Sequence, residues 1–120
     1  LAANVAGRLV RDHPELAGTM DRWVEAEDMG LARTAILHQL RFKGATDSQR
    51  LFRYCEQKAP ETEFFIRKAI GWALREYSKT DAGAVRRFVA EHDGELSGLS
   101  RREALLWLSG GRSAKGGAHG

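Results

Sequence analysis

Apolar residues recur along this chain at the three- and four-residue steps of a helix, and no segment shows the two-residue alternation of a strand. Glycine and proline divide the periodic stretches into seven expected helices, at about 2–12, 15–26, 28–42, 47–58, 62–78, 82–92 and 100–109. Asp47 and Asp81 stand where N-caps belong, and Asp28 and Glu63 also sit near helix starts, where the helix dipole favours an anion. Pro14 and Pro60 are placed at helix starts, where a missing N–H costs nothing. The expected fold class is all-α.

One helix has two distinct faces. On a wheel of about 100° per residue, Phe65, Ile66, Ala69, Ile70, Ala73, Leu74 and Tyr77 form a broad stripe expected in the core. Phe64, Lys68, Trp72, Arg75 and Lys79 form another, at spacings of four, four, three and four. A solvated face would carry mixed charge and no tryptophan. Two aromatics interleaved with three cations are the composition of a surface that grips a polyanion and stacks on sugars or bases.

The chain also repeats itself. LARTAILHQLRFKGATD (31–47) and FIRKAIGWALREYSKTD (65–81) align at an offset of 34, with identities at Arg33/Arg67, Ala35/Ala69, Ile36/Ile70, Leu40/Leu74, Arg41/Arg75, Thr46/Thr80 and Asp47/Asp81. The repeated unit is a long helix, a cap and a shorter helix, which predicts a HEAT-like α-solenoid of stacked antiparallel helix pairs over 1–108. In the earlier copy the Trp72 stripe becomes Gly30, Thr34, His38, Arg41 and Ala45, so the basic-aromatic face is concentrated in the later copy. Residues 109–120 are glycine-rich and expected to be a disordered, solvated tail.

Charge sharpens this picture. The whole chain carries +3, but Arg33–Arg87 holds 12 Lys+Arg against 6 Asp+Glu, so +6 lies in the middle and −3 in the remainder. Cys55 is the only cysteine, which excludes an internal disulfide or cysteine-based metal site; it is expected to be a small packing residue in a reducing compartment. No apolar run is long enough to span a membrane, and no signal peptide stands at the start. His13, His38, His92 and His119 lack metal-ligand spacing, so no metal and no cofactor is expected, and His38 reads as a solvated histidine. Trp23 falls on a core stripe with Leu16, Met20 and Val24, and Trp107 is expected to cap the last repeat. The first residue is Leu1 within a helical pattern, so the chain is expected to begin inside a larger protein.

The segments LARTAILHQLRFK, FFIRKAIGWALREYSKTD and LSRREALLWL resemble the AlkD-type DNA alkylation repair family, over about His13–Leu108. The resemblance implies a HEAT-like DNA glycosylase, a hydrolase that removes cationic alkylated purines such as 7-methylguanine and 3-methyladenine from duplex DNA. It implies that Trp72 packs against the deoxyribose, that Arg33 holds a backbone phosphate, and that Arg75 is a further DNA contact. Lys68, beside Trp72 on the same stripe, joins them as a weaker DNA-binding candidate, since a solvated lysine is the default. The family's catalytic aspartate and a second tryptophan belong to a Trp-Asp motif in the preceding repeat, which these 120 residues do not contain. The expected partners are alkylated duplex DNA and the missing N-terminal half of the same protein, with no membrane, and the expected location is the cytoplasm, on the nucleoid. Two other readings remain open: a non-catalytic DNA-binding module that keeps the groove without the carboxylate, and a helical scaffold whose basic stripe meets an acidic protein.

Overall fold

The computed structural model describes residues 3–107. They form seven α-helices, α1 (Ala3–Asp12), α2 (Ala17–Val24), α3 (Met29–Leu37), α4 (Ser48–Lys58), α5 (Phe64–Ser78), α6 (Ala82–Glu91) and α7 (Gly98–Leu106), with single 3-10 turns at Pro14–Leu16 and Lys43–Ala45 and no strand among the described residues. The expected helices are all present, and the caps explain where five of them begin. The side chains of Asp28, Asp47, Glu63, Asp81 and Ser97 each accept a backbone N–H of the first turn they precede. Pro14 opens its turn as expected, whereas Pro60 lies four residues ahead of α5, in the turn that ends α4.

The third helix stops at Leu37, short of the expected 42. Beyond it the backbone tightens into successive turns, from Leu40 N–H to the Leu37 carbonyl and from Phe42 N–H to that of Gln39. Lys43 then takes a left-handed conformation at φ 52°, which reverses the chain toward α4. The buried Gln39 amide holds this reversal shut. Its Oε1 accepts the Asp47 N–H at 2.7 Å and its Nε2 donates to the Asp47 carbonyl at 3.2 Å.

The helices pack in two rows. Helices α1, α3, α5 and α7 lie side by side in chain order, and α5 makes its most extensive contact with α7. On the other side α2 meets α4, and α4 meets α6 through Phe52 and Phe88, stacked at 4.7 Å. Ile36, Ile66, Ile70, Leu74 and Val85 are sealed between the rows, together with Tyr54 and Cys55. Burial also raises the Cys55 thiol pKa, so this cysteine is a packing group as expected.

Two glycines set the spacing of the first row. A Cβ on Gly7 would collide with the His38 carbonyl, and one on Gly71 would stand 2.5 Å from Glu103 Cβ and 3.1 Å from the Ser100 carbonyl. With no side chain at Gly71, α7 comes close enough for Ser100 Oγ to donate to the Arg67 carbonyl at 2.8 Å.

An acidic node ties α2 to α4. Asp21 receives Arg50 Nε at 2.9 Å and Nη2 at 3.2 Å, Arg53 Nη2 at 3.1 Å, and the Tyr54 hydroxyl. The Arg50 hydrogen bond, reinforced by Tyr54 and the nearby positive charges, holds the Asp21 carboxyl down to about 2 against the opposing effect of burial.

Two outcomes follow from this packing. Gly71→Ala should destabilise the fold by about 1–3 kcal/mol in urea unfolding, because overpacking at the α5–α7 contact outweighs alanine's better helix propensity. The depressed Asp21 pKa means that its stabilisation is complete above the unfolded carboxyl value near ~4 and is lost as pH falls through about 2. Asp21→Asn should therefore cost about 1 kcal/mol at neutral pH, since more than a third of the Asp21 side chain is exposed and solvent screens the pairs, and should flatten the stability profile between those limits, as read by thermal melts in an acid series.

Candidate nucleic-acid interface

The first turn of α5 sets the geometry of the aromatic and basic residues. With Glu63 capping the helix, Phe64, Lys68 and Trp72 follow one another along a single side. Trp72 is half-buried, with part of its indole packed on the core. Lys68 Nζ lies 5.4 Å from the Trp72 ring centroid and 5.7 Å from that of Phe64, so one ammonium bridges two ring faces. Trp72 is thus neither sealed in the core nor free of it. It is fixed by packing on one part and covered by a cation on another.

Arg75 continues this side toward α7, where its Nη1 stands 3.4 Å from Glu103 Oε1. Both side chains are partly sheltered, at 32% and 20% exposure, so the pair is less screened than a surface bridge. Glu103 is a carboxylate that the sequence reading left unassigned, since only the crossing of α5 and α7 brings it to Arg75. Three other carboxylates are occupied in other ways. Asp28 and Glu63 cap α3 and α5, and Glu76 pairs with Lys79 at 3.4 Å.

Arg33 is half-buried on α3 and lines a cleft of about 380 Å³ with Met29, Gly30, Glu63 and Phe65. It makes no hydrogen bond or ion pair among the described residues. The fold therefore sets Arg33 beside the start of α5, while Lys68, Trp72 and Arg75 lie outside the lining of this cleft. Phe65 corrects its expected core placement, being 60% exposed. Phe65 lies at the edge of the apolar arc of the wheel, and the core that covers Ile66 and Ala69 does not reach that edge at the start of α5.

A second basic region escaped the sequence reading. Arg8 and Arg11 of α1 and Arg41 after α3 line a groove of about 340 Å³ with Asn4, Gly7 and Phe42. Arg11, Arg41 and Phe42 also line an adjoining groove of about 320 Å³ that reaches His38, Asp47 and Arg50. His38 is buried at 3% exposure, which corrects its expected solvation. Its Nδ1 donates to the Ala35 carbonyl at 2.7 Å, its ring meets Phe42 edge-on at 5.9 Å, and burial lowers its pKa.

The fold also assembles three potential metal-ligating side chains that their spacing in the chain did not reveal. Glu56 of α4 meets His92 and Glu95, which follow α6, with ligand atoms within 4.8 Å of one another. His92 Nδ1 donates to the Phe88 carbonyl at 3.0 Å, leaving Nε2 facing Glu56 at 3.5 Å and Glu95 at 3.9 Å. Burial works against charge on this imidazole, but the Phe88 carbonyl and the two carboxylates outweigh it and raise its pKa. With Glu56 and Glu95 about 60% exposed, the arrangement also satisfies itself as an ion-paired histidine.

The model of the DNA alkylation repair enzyme family matches residues 1–108. The chain belongs to that family. A solved structure from Enterococcus faecalis, described as a predicted DNA alkylation repair enzyme, superposes with a TM-score of 0.82 at 33% identity. The match covers 90% of this chain and 50% of that one, so the chain spans about half the length of its structural relative. No curated protein matches it. No helix among the described residues is long and apolar enough to cross a membrane.

If Arg75 faces DNA, Glu103 is an acid placed against the polyanion. Glu103→Gln should then raise duplex affinity about two- to fivefold at low salt in fluorescence anisotropy, the size of a modest ion-pair effect. An unchanged affinity would mean that Arg75 points away from the bound duplex.

Proposed function

We propose that this chain is the DNA-holding part of a base-excision enzyme, and that the reaction is hydrolysis of the N-glycosidic bond of cationic N-alkylpurines in duplex DNA. On this reading the two rows of helices are pairs of a HEAT-like solenoid. Arg33, Lys68, Trp72 and Arg75 belong to one DNA-facing surface, and the protein works where its substrate is, on the nucleoid in the cytoplasm. The observation that carries the proposal is the half-buried indole of Trp72 stacked beneath Lys68 on α5, in a chain of the alkylation repair family.

The chemistry fits such a ring. An alkylated purine already bears positive charge and leaves as a neutral base. As the bond breaks, the charge passes to the sugar, which becomes an oxocarbenium-like cation. An electron-rich ring face stabilises that cation, by about 0.5–2 kcal/mol for a cation–π contact. Packing on the core fixes the Trp72 ring in place, so little of that gain is spent on ordering it. In the resting chain Lys68 sits over this ring, and the incoming sugar would take a place that a cation already marks as favourable. Arg33, without an acid partner, is the stronger phosphate holder; Arg75 shares its charge with Glu103.

The attacking water needs a carboxylate, and the family resemblance assigns that role to the Trp-Asp motif of the preceding repeat. Glu103 is held by Arg75, and Glu63 caps α5. The second reading, a DNA-binding module without catalysis, is favoured for this chain taken alone because Glu103 and Glu63 are already engaged.

Release of 7-methylguanine from methylated duplex separates the readings. Base release by the chain alone supports the enzyme, and release only when an upstream Trp-Asp segment is supplied supports a divided active site. Salt-sensitive duplex binding with no release under either condition supports the module, and absence of duplex binding with capture of an acidic protein supports the scaffold. Trp72→Ala should reduce base release or lesion binding by about 3- to 30-fold while the helical circular dichroism signal persists. Loss of the helical signal would instead identify Trp72 as a structural residue and remove it from the site.

A further inference from the structure

We propose that Arg8, Arg11 and Arg41 form a second phosphodiester-binding groove, at the α1–α3 end of the molecule, which holds duplex DNA without regard to the lesion. The inference rests on the DNA-binding reading above and extends it to residues that neither the family resemblance nor the comparisons assign.

Three observations carry it. First, the three guanidiniums converge. Arg8 and Arg11 share one face of α1, Arg41 follows α3, and all three line one groove of about 340 Å³. Gly7 makes this convergence possible, because the absent side chain lets α1 close onto the His38 carbonyl. Secondly, the charges are uncommitted. All three arginines are exposed and make no ion pair or hydrogen bond among the described residues, whereas Arg50, Arg53, Arg75 and Arg101 each hold a carboxylate. The carboxylate on the adjoining groove wall, Asp47, is taken up by Arg50, from which it accepts the backbone N–H at 3.1 Å and Nη1 at 3.1 Å.

Thirdly, the internal repeat shows that this lack of an acid is local. Arg41 occupies the position of Arg75 one repeat earlier. Arg75 finds its acid 28 positions later, at Glu103. The residue 28 positions after Arg41 is Ala69, which is buried. The same arginine is neutralised in one copy and left free in the other. Three unpaired guanidiniums around an open groove with an aromatic wall at Phe42 attract an anion with several charges in a row, and the DNA backbone supplies one.

Such contacts set register and overall affinity without reading the base. The groove therefore predicts a split between affinity and discrimination. The test compares the chain with its Arg8→Gln/Arg11→Gln/Arg41→Gln variant, using duplexes with and without a single 7-methylguanine, across a salt series. Arg86→Gln/Arg87→Gln/Arg102→Gln, which removes three exposed arginines on α6 and α7, controls for net charge. The groove variant should lose affinity for both duplexes by the same factor, with the slope of log K against log salt shallower by about 2–3. The control variant should change that slope by less than about 1. Equal effects of the two variants, an unmoved slope in the groove variant, or a loss confined to the lesion duplex would each overturn the groove. A parent chain that binds neither duplex at low salt would sink the DNA-binding reading and the groove with it; a parent that binds with an unmoved slope in the variant sinks the groove alone.

Discussion

The contact between α5 and α7 at Gly71 controls how the rest of the surface is used. A single absent side chain lets the helices approach until Ser100 reaches the Arg67 backbone and Glu103 reaches Arg75. That approach fixes α5, the longest helix, in the middle of its row, with α3 on one side and α7 on the other. It also selects which charges of α5 remain available. Arg75 is drawn into a partly sheltered ion pair, while Lys68, three turns from the C-terminal end, is left to cover Trp72. A bulkier residue at position 71 would push α7 outward and release Arg75, so the packing and the electrostatics of this face are one constraint.

The molecule spends its acids unevenly. On the α2–α4 side, Asp21 gathers Arg50, Arg53 and Tyr54 into a closed network, and Asp47 adds a second link to Arg50. At the far end Arg101 is held by Asp93. The arginines beside α1 and α3 receive no such partner among the described residues. Positive charge is thereby quenched where helices must be fastened together and left open along the α1–α3 end. A net charge of +3 understates this asymmetry, since pairing removes much of the basic character from one side of the protein.

The aromatic residues divide in the same way. Phe52, Phe88 and Tyr77 interlock between α4, α5 and α6, and His92 extends the stack over Phe88 at 4.2 Å. Phe64 and Phe65 meet edge-on at 5.3 Å, yet both stay more than half exposed. Exposed aromatic area beside an unpaired arginine and a cation-covered tryptophan is costly on a surface without a partner, and is the arrangement a stacking ligand exploits.

Much of this was legible in the chain before folding was considered. The helix starts at Asp28, Asp47, Glu63 and Asp81 were readable because capping is decided within three or four residues. The aromatic-basic stripe of α5 was readable because it depends only on helical pitch, and the family was readable because the FFIRKAIGWALREYSKTD block is long and specific. Expectations failed where a distant element decides the outcome. His38 and Trp72 are repeat-equivalent, but α1 closes over His38 and buries it. Phe65 lies at the edge of the apolar arc of its helix, and the core that buries its neighbour Ile66 leaves it exposed. The sequence by itself determined the elements, their repeat and the chemical character of their faces, because these arise from neighbours in the chain. Only the tertiary structure decided which arginines are neutralised and which stay open, because the partner that pairs with Arg75 and the one denied to Arg41 lie 28 residues away and meet them, or fail to, only where helices cross.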